Sequence, residues 1–121
     1  MHIYESAENY LEAILVLRNR MGLVRSIDIA GELNVSKPSV SIAMKKLRES
    51  GYIEVDGEGH IVLLPEGEAI AQRIYERHRL LTEFFIRLGV SAETAAEDAC
   101  KVEHDLSDET FEKIKAHADR N

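Results

Sequence analysis

The chain has 121 residues, a formal net charge of −7, a 45% hydrophobic and 31% charged composition, and a single cysteine. That length gives one compact domain or two very small ones. No apolar run approaches the roughly 20 residues of a membrane-spanning helix, and the N-terminus MHIYESAENYLEA carries acids where a secretion signal carries bases. One cysteine closes no internal disulfide, so the composition reads as a cytoplasmic protein with no membrane partner, its thiol available for packing or for a metal.

From about Ser6 to Asn19 the stretch AENYLEAILVLRN sets Tyr10, Ile14 and Leu17 on one stripe with Leu11 and Leu15 beside it, the period of an amphipathic helix. After the Met21-Gly22 break, RSIDIAGELN spaces Ile27, Ile29, Ala30 and Leu33 helically, with Ser26 as the expected N-cap and Asp28 in the first turn. Asn34-Val35 separates this short helix from a third one. Ser36 is its N-cap, Pro38 stands where a missing N–H costs nothing, Val40, Met44 and Leu47 form its apolar side, and Gly51 ends it.

The period then changes to that of strands. YIEV and HIVLL flank Asp56-Gly57-Glu58-Gly59, which predicts a β-hairpin. Pro65-Glu66-Gly67 opens a long helix through EAIAQRIYERHRLLTEFFIRL that ends at Gly89, with Ile70, Ile74, Leu81 and Phe85 inside. Ser91 caps a helix expected to run through AETAAEDACKVEHDL, and Ser107, followed by Asp108 and Glu109, starts the last one.

The fold class is therefore mainly α with a small β-hairpin wing: a winged helix-turn-helix over residues 1–64 and a helical region over 65–121. The negative charge, taken alone, opposes nucleic-acid binding, but its distribution changes that reading. Residues 1–64 hold 7 basic and 9 acidic side chains, net −2, and residues 65–121 hold 8 and 13, net −5. From Ser36 to Arg48 there are Lys37, Lys45, Lys46 and Arg48 and no acid. In a winged helix the third helix meets the major groove N-terminus first. The candidate contacts to double-stranded DNA are Arg25, Ser36, Lys37, Pro38, Ser39, Ser41, Lys45 and Lys46, the later lysines and Arg48 being placed for phosphate rather than base edges.

A second pattern lies in CKVEHDL. Cys100, Glu103 and His104 stand at i, i+3 and i+4 and so share one face of the expected helix, a thiol, a carboxylate and an imidazole placed to hold a cation. Alone, Cys100 reads as a small core hydrophobe. His2, His60 and His117 fall near a terminus, in the wing and in the tail, outside this face. Glu83 and Glu97 are available for a second site, although charged helix faces supply such residues freely.

Together AENYLEAILVL, DIAGELNVSKPSVSIAMKKLRESGYI, LLPEG, YERHRLLTEFF and CKVEHDLSDE cover almost the whole chain, and it resembles the DtxR/MntR family of metal-dependent bacterial transcriptional repressors. The resemblance implies an N-terminal winged helix, a helical dimerisation and metal-binding region, a homodimer that binds palindromic operators when metal-loaded, and repression of metal-uptake genes. It implies the short form, without the C-terminal SH3-like domain of the larger members. Carried over residue by residue, the implied metal ligands are Asn9, Glu12, His78, Cys100, Glu103 and His104. The position of Asn9 is usually aspartate in the manganese-sensing branch and methionine in the iron-sensing branch, so this chain departs from both. A cysteine at position 100 matches the iron-sensing branch, and thiolate is a soft donor, so Fe²⁺ is the expected effector, with Mn²⁺ as the alternative and Co²⁺ or Zn²⁺ binding in vitro. Leu80, Leu81, Phe84, Phe85 and Ile86 exceed what one core needs and mark the dimer face. Two further readings stay open: a metal-independent winged-helix regulator, and a metalloenzyme, against which stands the lack of any nucleophile motif or phosphate-cradling loop.

Overall fold

A computed structural model describes residues 5–119, so that His2 lies outside the described residues. The elements run α1 (Glu5–Met21), α2 (Ser26–Leu33), α3 (Lys37–Glu49), β1 (Ile53–Val55), β2 (Ile61–Leu63), α4 (Pro65–Arg87), α5 (Ala92–Val102) and α6 (Asp108–Asp119). The chain divides into two compact units, Met1–Gln72 and Arg73–Asn121, with α4 contributing residues to each.

In the first unit α1 packs on α2, α3 and β2, and α3 packs on α2 and β1. Its core collects the apolar stripes expected from the helical period: Leu11, Ile14, Leu15 and Leu17 from α1, Ile29 from α2, and Val40, Met44 and Leu47 from α3. The hairpin pairs Ile53 with Leu63, Glu54 with Val62 and Val55 with Ile61. Period 2 then buries Ile53, Ile61 and Leu63 while Glu54 and Val62 face solvent. Between the strands the Asp56 carboxylate accepts the backbone N–H groups of Glu58 (2.8 Å) and His60 (2.9 Å), and the bond from the His60 backbone leads the causes that hold Asp56 below its ordinary pKa.

Helix ends follow local chemistry. Asn34 closes α2 in the left-handed region at φ 54°, which Asn tolerates better than other non-glycine residues, with the Val35 N–H bonded to the Ala30 carbonyl at 3.1 Å. α3 ends in a Schellman turn: the Tyr52 N–H reaches the Leu47 carbonyl and the Gly51 N–H the Arg48 carbonyl, both at 3.0 Å. Two expectations are corrected. The N-cap of α2 is Arg25, not Ser26, because the Asp28 carboxylate bonds back to the Arg25 N–H at 2.9 Å and so draws the start of the helix one residue earlier. α5 stops at Val102 rather than running through Leu106. Glu103 still bonds to the Ala99 carbonyl at 2.9 Å, but Asp105 bonds to Val102 at 3.0 Å, a tightened turn that leads towards the Ser107 cap of α6.

The Leu64 N–H bonds to the Tyr52 carbonyl at 2.9 Å, and the α4 backbone then passes so close to Tyr52 that a Cβ at Gly67 would sit 2.1 Å from the same oxygen. At the next residue, Arg18 of α1 grips the Glu68 carboxylate through both terminal nitrogens, and this hydrogen bond is the largest of the causes that hold Glu68 below its ordinary pKa. A lowered folded-state pKa contributes stability above about pH 4.5 that is lost as pH falls through the folded value.

The second unit buries Ile74 and Leu81 of α4, Ala95 and Ala99 of α5, and Phe111 of α6. It leaves Phe84 and Phe85 half-buried and exposes Ile86 (43%) and Leu88 (66%). No helix of the described residues is long and apolar enough to cross a membrane.

Candidate functional site

The candidate nucleic-acid face expected from sequence centres on α3. Ser36 caps it, accepting the Ser39 N–H at 3.3 Å while its own hydroxyl meets that of Ser39 at 2.8 Å. Burial of Val40, Met44 and Leu47 fixes the rotation of the helix, so Lys37, Pro38, Ser39, Ser41, Lys45, Lys46 and Arg48 are all exposed. Arg25 is exposed at the start of α2. Lys37 stands in the first turn of α3, where the N–H groups and the helix dipole already favour an anion, so a phosphate suits both. Lys37→Ala is expected to weaken DNA binding uniformly across sequences and to lower the slope of log K against log salt by about 0.9, the share of one phosphate contact. An unchanged slope in a fluorescence-anisotropy salt titration would remove Lys37 from the phosphate contacts.

Three of the expected metal ligands, His78, Glu103 and His104, meet in the second unit around the Glu103 carboxylate. Glu103, the C-cap of α5, is 0% exposed. Its Oε2 lies 2.9 Å from Nδ1 of His78 on α4, and its Oε1 lies 3.4 Å from Nε2 of His104 in the following turn. That second approach is an ion-pair distance without hydrogen-bond geometry, and Oε1 has no hydrogen-bond partner among the described residues. A fully buried carboxylate with one oxygen unsatisfied is costly unless a cation compensates it. With two imidazoles beside it, the donor set fits a divalent ion that accepts oxygen and nitrogen.

The other expected ligands are placed as follows. Cys100 is exposed on the last turn of α5, in contrast to the buried Glu103 three residues on. Asn9 and Glu12 are half-buried, one turn apart on α1 in the first unit. Glu83 and Glu97 are exposed. His60 is bound in the wing, with Nδ1 3.2 Å from the Asp56 carboxylate, and the His117 ring meets Phe84 edge-on.

Arg77 was not among the residues singled out by sequence. It is only 4% exposed, and its Nη1 donates to the carbonyls of Glu103 (3.1 Å) and Leu106 (2.8 Å). Its Nη2 donates to Asp108, and the guanidinium lies 5.1 Å from the Phe111 ring centroid. It thereby ties α4 to the turn that carries Glu103 and His104. The signal was available: Arg77 stands three residues after Ile74 and four before Leu81, on the buried stripe of α4.

Residues 2–61 match the family described as iron dependent repressor, N-terminal DNA binding domain, and residues 64–120 match iron dependent repressor, metal binding and dimerisation domain. The transcriptional regulator MntR of Salmonella typhimurium is 38% identical over 115 residues, covering 95% of this chain and 73% of that protein. Among solved structures, the manganese regulator SloR superposes with a TM-score of 0.83 at 29% identity, over 95% of this chain and 54% of that one. The IdeR of T. acidophilum superposes with a TM-score of 0.81 at 27% identity, over 97% and 55%. The chain thus spans about half the length of these two solved chains.

Proposed function

Because the chain belongs to the DtxR/MntR family of metal-dependent transcriptional regulators, we propose that it is a homodimeric repressor whose affinity for operator DNA is set by a divalent ion, with Mn²⁺ the first effector. The observation that carries this reading is the buried Glu103 carboxylate with His78 and His104 at its two oxygens. Glu12, Asn9 and Cys100 complete the ligand set in the proposal. Bound there, a divalent ion supplies the positive charge that Glu103 and the acidic second half of the chain lack. Carboxylate, imidazole and amide oxygen are donors that Mn²⁺ accepts, and the likeness to the manganese regulator SloR supports the same choice.

The division of labour follows residues 1–64 for DNA and 65–121 for metal and dimer. Leu80, Phe84, Phe85 and Ile86, continued by Leu88, are assigned to the dimer interface, where the exposed apolar members would be buried in the partner, whereas Leu81, expected there from sequence, is taken up by the core of the second unit. Metal and DNA are then linked by a coupling free energy, typically a 5–150-fold change in affinity. Fe²⁺ is the second reading, favoured by the Cys100 thiol.

The test is anaerobic binding of chelator-stripped protein to its own promoter region, titrated separately with Mn²⁺, Fe²⁺, Zn²⁺ and no added metal. Metal-dependent binding at lower free Mn²⁺ than Fe²⁺ supports the first effector, and the reverse order makes it iron. Equal binding with and without metal overturns the metalloregulator. Cys100→Ala is expected to raise the Fe²⁺ concentration needed by about tenfold while leaving the Mn²⁺ response within a few-fold, dimer and fold unchanged. Equal loss for both ions would make Cys100 a general ligand instead of a selective one.

A further inference from the structure

From Ser39 to Arg48 the side of α3 turned away from Val40, Met44 and Leu47 is polar and basic except at one position, where Ile42 is 58% exposed, and one turn earlier the ring of Pro38 is exposed as well. It stands three residues after Ser39 and three before Lys45, both exposed, inside the acid-free segment from Ser36 to Arg48. The other large exposed apolar residues of the described chain, among them Ile27, Val62 and Leu88, lie outside that segment. A β-branched side chain in a helix is held close to one rotamer, so its methyl groups have a fixed aim. The ligand that suits the surrounding serines and lysines is the edge of a DNA major groove, whose one apolar feature is the C5-methyl of thymine.

We propose that Ile42 is a specificity-determining residue that packs on a thymine C5-methyl, so that each operator half-site requires a thymine at one position. This rests on the DNA-binding reading above and adds to it the base that the exposed isoleucine selects. Serine hydroxyls and lysines hydrogen-bond to more than one base and to phosphates, and so position the helix without demanding thymine. Ile42 makes no hydrogen bond, and its contribution comes only from removing two apolar groups from water.

The experiment uses the full chain loaded with Mn²⁺. Duplexes are first selected from a random-sequence library, and each thymine of the selected site is then replaced singly by deoxyuridine, which removes the methyl and leaves base pairing intact. In the wild type, one such replacement per half-site is expected to weaken binding about four-fold, the equivalent of one buried methyl. Ile42→Ala should be insensitive to that replacement, and its salt slope should match the wild type because no charge is lost. Ile42→Gln should shift the selected base at that position from thymine towards adenine, the partner of a side-chain amide. Deoxyuridine profiles that coincide for wild type and Ile42→Ala at every position would overturn the inference while leaving DNA binding standing. No enrichment of any sequence by the metal-loaded wild type would overturn the DNA-binding reading as well.

Discussion

Glu103→Gln is expected to abolish the metal response while leaving the apo protein folded. The substitution keeps the shape of the side chain and removes its charge. In the apo state that charge is an expense, because the carboxylate is fully buried and Oε1 has no hydrogen-bond partner among the described residues. The amide can still face His78, now 2.9 Å from Oε2, so apo stability should stay within about 1 kcal/mol of wild type. The metal side behaves oppositely. An ion at a hundred times its Kd stabilises a folded protein by about 2.7 kcal/mol, and this increment should vanish in Glu103→Gln together with metal-dependent DNA binding. The measurement is thermal unfolding with and without Mn²⁺. A variant that keeps the Mn²⁺-induced rise in Tm would show that Glu103 is not a ligand, and one that no longer folds without metal would show that its charge is structural.

Gly67→Ala should produce the largest loss of stability of any glycine-to-alanine substitution in this chain. The new Cβ would stand 2.1 Å from the Tyr52 carbonyl oxygen and 3.0 Å from its carbon, well inside van der Waals contact. Both obstacles are backbone atoms, so no side chain can rotate away, and the start of α4 must move off the hairpin. That movement breaks the bond from the Leu64 N–H to the same oxygen and loosens Arg18 from Glu68. Overpacking of this kind costs about 1–3 kcal/mol before the lost hydrogen bonds are counted. In a domain of this size each kcal/mol lowers Tm by roughly 4–8 °C, so a fall of more than about 10 °C is expected. The control is Gly57→Ala, where a Cβ meets nothing within 4 Å. A similar, small effect of both substitutions would mean that the close approach is relieved at little cost.

The two predictions differ in how much of them was legible beforehand. Glu103 stood out because its spacing from Cys100 and His104 suits one helix face, but the helix ends at Val102, and the three residues divide between an exposed thiol and a buried carboxylate. What makes Glu103 distinctive, its burial beside His78, joins positions 25 residues apart and has no local signature. Gly67 read as part of a helix start, where its tolerance of turns would explain it. The structure gives a different reason, a packing contact with a residue 15 positions earlier. Neither Arg77 nor Ile42 stood out in the sequence, and each departs from the rule that charge stays at the surface and apolar character in the core. Arg77 is buried and Ile42 exposed.

By itself the sequence determined the order and nearly all the limits of the helices, the hairpin, the basic third helix and the family. These depend on interactions between residues a few positions apart: caps at Ser36, Ser91 and Ser107, the left-handed Asn34, the Schellman glycine at Gly51, and apolar periods of 3.6 and 2. Only the tertiary structure decided which carboxylate lies buried between imidazoles, which arginine holds the turn that carries it, and which isoleucine is left facing solvent. A helical period says which side chains share a face. It does not say what will cover that face, because coverage is set by elements that lie far away in sequence and approach only in the folded chain.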